Sequence, residues 1–306
     1  MPITRRRFLN LSILSAVSVA CSEQTLVRTS AIPSNPKVIA LEWVYVENLL
    51  ALGIQPVGVA DIAGYNKYVN IAPKLVDSAL EVGTRQEPNL EAIAKIKPDL
   101  IIGVKQRHEG IYQTLSSIAK TLLFDPYPEL NAGNQLAQMQ QNFLEIARVC
   151  QKNSVGELVL QTMQTTFATA AETLNAVKLT NSPFVLCQFV PEFRLFTNNS
   201  MAVQILTQIG LRNIWQGELE RFGFNTVGLE ALPSIEHAHF FYIAETQAPL
   251  QRLQNNAVWQ SLDFVREQRL YALGEDTWVF GGPLSAQILA QKAVAALTRS
   301  AEQKQS

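Results

Sequence analysis

From Gly133 to Val177 the chain contains no proline, and on both sides of that stretch short runs rich in Val, Ile, Leu and Phe alternate with helical patterns. A proline-free run of Gln, Ala, Leu, Met and Thr reads as helix, broken once near Asn153-Ser154 and Gly156. The pattern predicts one helix from about Gly133 to Cys150 and a second from about Val155 to Val177. The second would be about 34 Å long at about 1.5 Å per residue, long enough to span a domain as a stiff strut.

Ahead of these helices, "KVIALEW", "QPVGVAD", "ALEVG", "DLIIGV" and "TLLFD" read as strands, separated by the helical segments "YVENLLALG", "NLEAIAKI" and "GIYQTLSSIAK". After Asn181-Ser182-Pro183 the alternation resumes with "FVLCQFV", "RLFTN", a helix from Ala202 to Ile209, "HFFYIAE", "RLYALG" and a closing helix from Leu284 to Thr298. Alternating strands and helices argue for parallel sheets covered by helices. The expected fold class is therefore α/β: two αβ lobes, each with a mostly parallel sheet, joined by one long rigid helix. The expected division is 1–20 export signal, 21–36 linker, 37–153 N-lobe, 154–180 connecting helix and 181–306 C-lobe. A short echo links the halves, since "NLEAIAKIKPDLIIG" and "GLEALPSIEHAHFFYI" both run Leu-Glu-Ala, a short helix and then an apolar strand.

Composition supports two packed cores. The chain has 306 residues, 47% of them hydrophobic and 17% charged, which excludes a disordered or collagen-like polymer. Basic and acidic residues nearly balance at 25 and 26, with no basic block, so no nucleic-acid partner is expected. Cys150 and Cys187 lie in apolar runs and read as unpaired core residues.

The first twenty residues are an address. Arg5, Arg6 and Arg7 precede an apolar run from Phe8 to Ala20, too short for the roughly 20 residues that span a bilayer. "TRRRFLN" resembles the twin-arginine export consensus, so the twin-arginine translocase is an expected partner. Cys21 is either the lipidated first residue of a mature lipoprotein or the residue after an ordinary small-x-small cleavage site, Ser18-Val19-Ala20. The expected location is periplasmic or exported.

Catalytic signatures are scarce. There is no G-x-S-x-G, G-x-G-x-x-G or Walker A loop, and His108-Glu109 is followed by Tyr112 where a zinc protease needs His. His237 and His239 lack a third ligand nearby, so no direct metal site is expected. Aromatic and Arg residues stand out instead: Trp43, Tyr65, Tyr68, Arg85, Arg107, Phe222, Trp278 and Phe280 lie at strand ends or in the following loops, where open αβ sheets bind ligands. Arg85 is the sharpest of them. A long cation in a Gly-Thr-Arg turn after an apolar strand has little packing use and suits an anionic or carbonyl-rich ligand.

"VIALEW", "LLALGIQPVGVAD", "EVGTRQEPNLEAIAKIKPDLII", "NIWQGE" and "WVFGGPLSA" together resemble the substrate-binding proteins of bacterial iron(III)-siderophore ABC importers, in particular the hydroxamate-binding branch. The resemblance spans nearly all of the chain after residue 36 and implies two lobes joined by one long helix, binding a ferric siderophore between them without catalysis or cofactor. It implies that Arg85 bonds the oxygens around the iron and that Trp43, Tyr68, Trp278, Phe222 and Phe280 form an aromatic wall. Where the family has a ligand-bonding Tyr, "GVKQRHEG" offers Arg107 or His108. It further implies that Glu91 and Glu230, one per lobe, dock on Arg residues of a dimeric ABC permease, and that the protein is a monomer. Because a siderophore fills the coordination sphere of its iron, the protein needs donors and flat apolar area, not metal ligands. The competing readings are a binder of another bulky chelate, such as cobalamin, haem or ferric citrate, and an exported enzyme on a bilobed scaffold.

Overall fold

The computed structural model describes residues 32–130, 134–190, 192–246 and 248–305, with side chains as far as residue 300. The export segment at 1–20, Cys21 and the linker as far as residue 31 lie outside the described residues.

Five strands build the first sheet: β1 (Val38–Ala40), β2 (Gly58–Val59), β3 (Leu80–Glu81), β4 (Leu100–Val104) and β5 (Lys120–Phe124). All pairs are parallel, in the order β3-β2-β1-β4-β5, and the strands are linked through helices α1 (Trp43–Ala51), α2 (Ile62–Tyr68), α3 (Leu90–Ile96), α4 (Lys105–His108) and α5 (Tyr112–Ile118). Both faces of the central strands are covered, so every residue of β1 and β4 is buried, which explains their uninterrupted apolar sequences. Helices α2 and α4 were not expected from the sequence. Both are short, and "IAGYNKY" and "KQRH" carry no apolar stripe.

Next come α6 (Gln135–Val149), capped by the Asn134 side chain, which accepts from the Ala137 N–H at 2.6 Å, and the 24-residue α7 (Asn153–Ala176). The second lobe holds β6 (Pro183–Val190), β7 (Glu192–Phe196), α8 (Met201–Gln208), β8 (Arg212–Asn213), β9 (Phe224–Val227), β10 (His239–Ala244), α9 (Ala248–Leu253), α10 (Ala257–Ser261), α11 (Asp263–Arg266), β11 (Leu270–Ala272) and α12 (Pro283–Gln305). Its sheet runs β11-β10-β6-β7-β9, with β8 also on β6. It is mixed: β10, β11 and β8 pair in parallel, whereas β7 is antiparallel to both β6 and β9. Only residue 191 separates β6 from β7, too little chain for a parallel crossover.

The lobes are joined by more than the long helix. Leu136 and Met139 of α6 enter the C-lobe core while Phe143 and Ile146 enter the N-lobe core, and α12 likewise sends Leu284 and Ile288 to one and Leu289 and Leu297 to the other. Helix α7 packs between them against α6 and α12. Across the seam, the fully buried Glu47 of α1 accepts from the Ser285 N–H at 2.8 Å and the Ser285 hydroxyl at 2.6 Å, at the first turn of α12. Burial pushes the Glu47 carboxyl up from its ordinary range, and the Ser285 contacts oppose that. A Cβ on Gly281 would fall 2.5 Å from Glu47 Oε2, and one on Gly282 would fall 2.3 Å from Asn48 Oδ1, so this close approach requires both glycines. Cys150 and Cys187 are buried and unpaired.

Candidate functional site

The carboxyl ends of the N-lobe strands open onto a cleft of about 450 Å³, closed on its other side by the C-lobe. From the N-lobe, Glu42 follows β1, Arg85 follows β3, Arg107 sits on α4 after β4, and Tyr127 follows β5; from the C-lobe come Arg194 on β7, Phe222 and Phe224 at the start of β9, and Trp278 and Phe280 in the loop before α12.

Arg85 is presented by a tight turn. Gly83 sits at φ +91°, where a Cβ would lie 2.7 Å from the Asn89 nitrogen, and the Glu87 N–H donates to Thr84 Oγ1 at 2.9 Å. The guanidinium stacks 3.7 Å from the centre of the Trp43 ring. Its Nη1 donates a long hydrogen bond of 3.4 Å to Glu42 Oε2, and its Nε lies 3.6 Å from Asp61 Oδ2, within ion-pair range and beyond hydrogen-bond reach. Arg107 donates to Glu42 Oε1 at 2.6 Å. Glu42 is thus held between two cations while only 6% exposed, and burial pushes its carboxyl up from the ordinary range against the pull of Arg107 and Arg85.

The opposite wall is aromatic. Tyr127 packs edge-on to Phe222 at 5.1 Å, Phe224 stacks on Phe222 at 6.3 Å, and Trp278 meets Phe280 at 5.5 Å. Arg194 lies 4.2 Å over the Phe224 ring and donates to Gln188 Oε1 at 2.9 Å. Among the described residues, Arg194 Nε, Trp278 Nε1 and Tyr45 Oη are buried without a hydrogen-bond partner. Burial raises the Tyr127 hydroxyl to about 12, so it keeps its proton and can donate. The cleft therefore offers many donors and flat apolar surface to an oxygen-rich, partly apolar ligand.

Five of the residues expected at the ligand line this cavity: Arg85, Arg107, Phe222, Trp278 and Phe280. Three do not. His108 is fully buried behind the wall, where Nδ1 accepts from the Val104 N–H and Nε2 donates to the Arg85 carbonyl, both at 3.0 Å. It supports the Arg85 turn and has no surface to offer a ligand. Trp43, 3% exposed, forms a second layer beneath Arg85 and donates from Nε1 to the Asp61 carbonyl at 3.1 Å. Tyr68 stacks on Trp43 at 5.8 Å and, with Lys67, bonds Glu245 of the C-lobe outside the cavity. Glu91 is exposed in the first turn of α3, and Glu230 is exposed in a 3-10 turn at Leu229–Ile235, which Pro233 keeps from becoming an α-helix; neither is in the cleft. His239 contacts the Tyr271 hydroxyl at 3.0 Å, and no group of three or more His, Cys, Asp or Glu among the described residues is placed to hold a metal ion.

Glu42, Tyr127 and Arg194 were missed by sequence reasoning. Glu42 lies two residues past the end of β1 and Tyr127 three past the end of β5, so the rule that ligand residues gather at strand ends also reaches both, although the apolar run "KVIALEW" hid Glu42 within the expected strand. Arg194 lies within a strand, opposite Gln188 in the β6–β7 pair, and nothing local in "EFRLF" tells that its face of the sheet is the one that borders the cleft.

A family model described as periplasmic binding protein matches residues 38–277. The chain belongs to this family. Among relatives of this binding protein, the iron(3+)-hydroxamate-binding protein FhuD of Escherichia coli (strain K12) is 31% identical over 288 residues, 93% of each chain. The Fe(3+)-citrate-binding protein YfmC of Bacillus subtilis (strain 168) is 29% identical over 262 residues, 82% of this chain and 77% of that one. Among solved structures, the Fe3+–Desferal-bound siderophore-binding protein FhuD from Vibrio cholerae superposes with a TM-score of 0.79 at 27% identity, covering 87% of this binding protein and 99% of that chain.

Proposed function

We propose that the chain binds an iron(III) siderophore, of hydroxamate type, in the cleft and delivers it to the permease of an ABC importer. The observation that carries this reading is the pairing of guanidinium donors on one wall with Trp278, Phe280 and Phe222 on the other. Such a site matches a chelate whose oxygens face outward around the metal and whose carbon frame is apolar. The two FhuD relatives support the hydroxamate type. Titrating the purified protein with ferric tris-hydroxamate, ferric dicitrate and haem, and following tryptophan fluorescence, tests it: Trp278 in the wall should report saturable quenching by the tris-hydroxamate. Binding of haem alone, or of none of the three, would defeat the reading.

A second reading, an anionic ferric carboxylate chelate, is favoured by Arg194, which lines the cleft with no carboxylate in ion-pair range among the described residues, and is supported by the relative YfmC. For the permease contact we propose Glu91 and Glu230, both exposed and without an ion-pair partner among the described residues. Exposed charges of this kind orient a partner more than they hold it. Replacing both by Ala should abolish uptake in cells and leave siderophore affinity unchanged; uptake at the wild-type rate would remove the assignment. The reading extends to export of a monomeric protein by the twin-arginine route and lipid anchoring at Cys21.

A further inference from the structure

Glu42 lines the cleft as a carboxylate among cations, and the fold does not demand one there. It occupies the N-cap position of α1, yet its side chain makes no capping bond. Taking a carboxylate out of water is costly, and two guanidiniums at 2.6 and 3.4 Å offset that cost. Together with Asp61, 3.6 Å from Arg85, it sets two acids against the two N-lobe arginines, so that wall presents N–H donors with little net charge. Arg194 across the cleft keeps its full charge.

We infer that Glu42 is a specificity-determining residue: it occupies the face of Arg85 and Arg107 that a free carboxylate would take, and so reserves this wall for the charge-neutral core of a ferric tris-hydroxamate. The inference rests on the cleft reading above. Each guanidinium carries several N–H donors, and Glu42 engages Nη1 of each. An oxygen whose charge is already spent on iron can take the remaining donors. A polyanionic chelate must either displace Glu42 or sit beside it, and like charges in a cleft with low-dielectric walls repel strongly. A neutral tris-hydroxamate arises because the hydroxamate anions together match the charge of the ferric ion, whereas ferric dicitrate is left with net negative charge.

The test compares ferric acetyl-Desferal, a neutral tris-hydroxamate, with ferric dicitrate on wild type, Glu42→Gln and Asp61→Asn. Removing one charge at about 5 Å in an effective dielectric of about 20 corresponds to more than tenfold in affinity. Glu42→Gln should therefore strengthen ferric dicitrate binding about tenfold or more relative to the tris-hydroxamate, shifting the preference between the two chelates by that factor. The gain should shrink as salt is added. Asp61→Asn should act in the same direction by about threefold, and it keeps the fold available, because Asn tolerates both the left-handed backbone at Asp61 (φ 59°) and its bond from the Gly64 N–H. If the wild type binds the tris-hydroxamate but both variants keep its preference within about twofold, the inference is overturned and the cleft reading stands. If the wild type binds neither chelate, the cleft reading falls and the inference with it.

Discussion

Arg85 and Arg194 face one cleft from opposite lobes, the first among two carboxylates and a tryptophan, the second beside a glutamine and over a phenylalanine ring. Arg85 is fixed on every side: ion pairs at its edge, an indole beneath it, and a turn held from behind by His108. Its charge is largely matched, so its value to a ligand lies in donors already aimed before the ligand arrives. Arg194 is held by one hydrogen bond and a ring, and its charge is unmatched; burial pulls its pKa down from the ordinary value. One wall supplies geometry, and the other supplies field and apolar area.

The comparison breaks first at Arg85. Arg85→Ala removes pre-aimed donors and leaves Glu42 paired with Arg107 alone, so ferric siderophore affinity should fall by about 1.5–3 kcal/mol, roughly ten- to a hundredfold. Calorimetric titration checks it, with circular dichroism confirming that the fold is kept. Arg194→Gln should cost a neutral chelate less, about 0.5–1.5 kcal/mol, because it removes a charge more than a positioned bond. Its effect on an anionic chelate should be larger and should fade with salt. A greater loss at Arg194 than at Arg85 for the neutral chelate would reverse the roles assigned to the two walls.

How far the sequence carries this contrast depends on which residues report their surroundings locally. The helix predicted at Val155–Val177 is found at Asn153–Ala176, because a long run without proline or strong breakers has few alternatives. Arg85 was legible for a related reason: a cation in a Gly-Thr-Arg turn after an apolar strand breaks the core pattern of that strand and so stands out in the sequence. Trp43 shows the limit. An aromatic residue after a strand can form the wall or the layer behind it, and only the position of Arg85 above the ring decides between them. His108 was offered beside Arg107 because "GVKQRHEG" stands where the resemblance implies a ligand-bonding Tyr, yet two backbone groups, from Val104 and Arg85, claim both of its ring nitrogens. Arg194 needed knowledge of which face of the sheet borders the cleft, which no local pattern around "EFRLF" contains.

His108 also provides the smallest effect, and one whose sign separates it from the acids nearby. With its proton on Nε2, the neutral ring donates to the Arg85 carbonyl and accepts from the Val104 N–H; a second proton on Nδ1 would set two donors against each other. Burial, aided by the neighbouring Arg107 charge, lowers its pKa below the ordinary 6.5. As pH falls below about 6.5 the unfolded chain takes up this proton before the folded one does, so the unfolded state binds more protons and stability drops with pH. Glu42 and Glu47 act in the opposite sense. Their folded pKa values are raised, so above 4.5 the folded state holds more protons than the unfolded one, and their contribution to stability grows as pH falls towards that value. Denaturant melts at about pH 7 and about pH 5.5 should therefore show a loss assignable to His108 of up to about 1.4 kcal/mol. In His108→Gln, whose amide can still donate to the Arg85 carbonyl, that loss should vanish and leave the upward drift of the two acids. If the wild type and the variant drift alike, His108 does not stay neutral behind the Arg85 turn, and the order of the N-lobe wall must come from Trp43 and the two carboxylates alone.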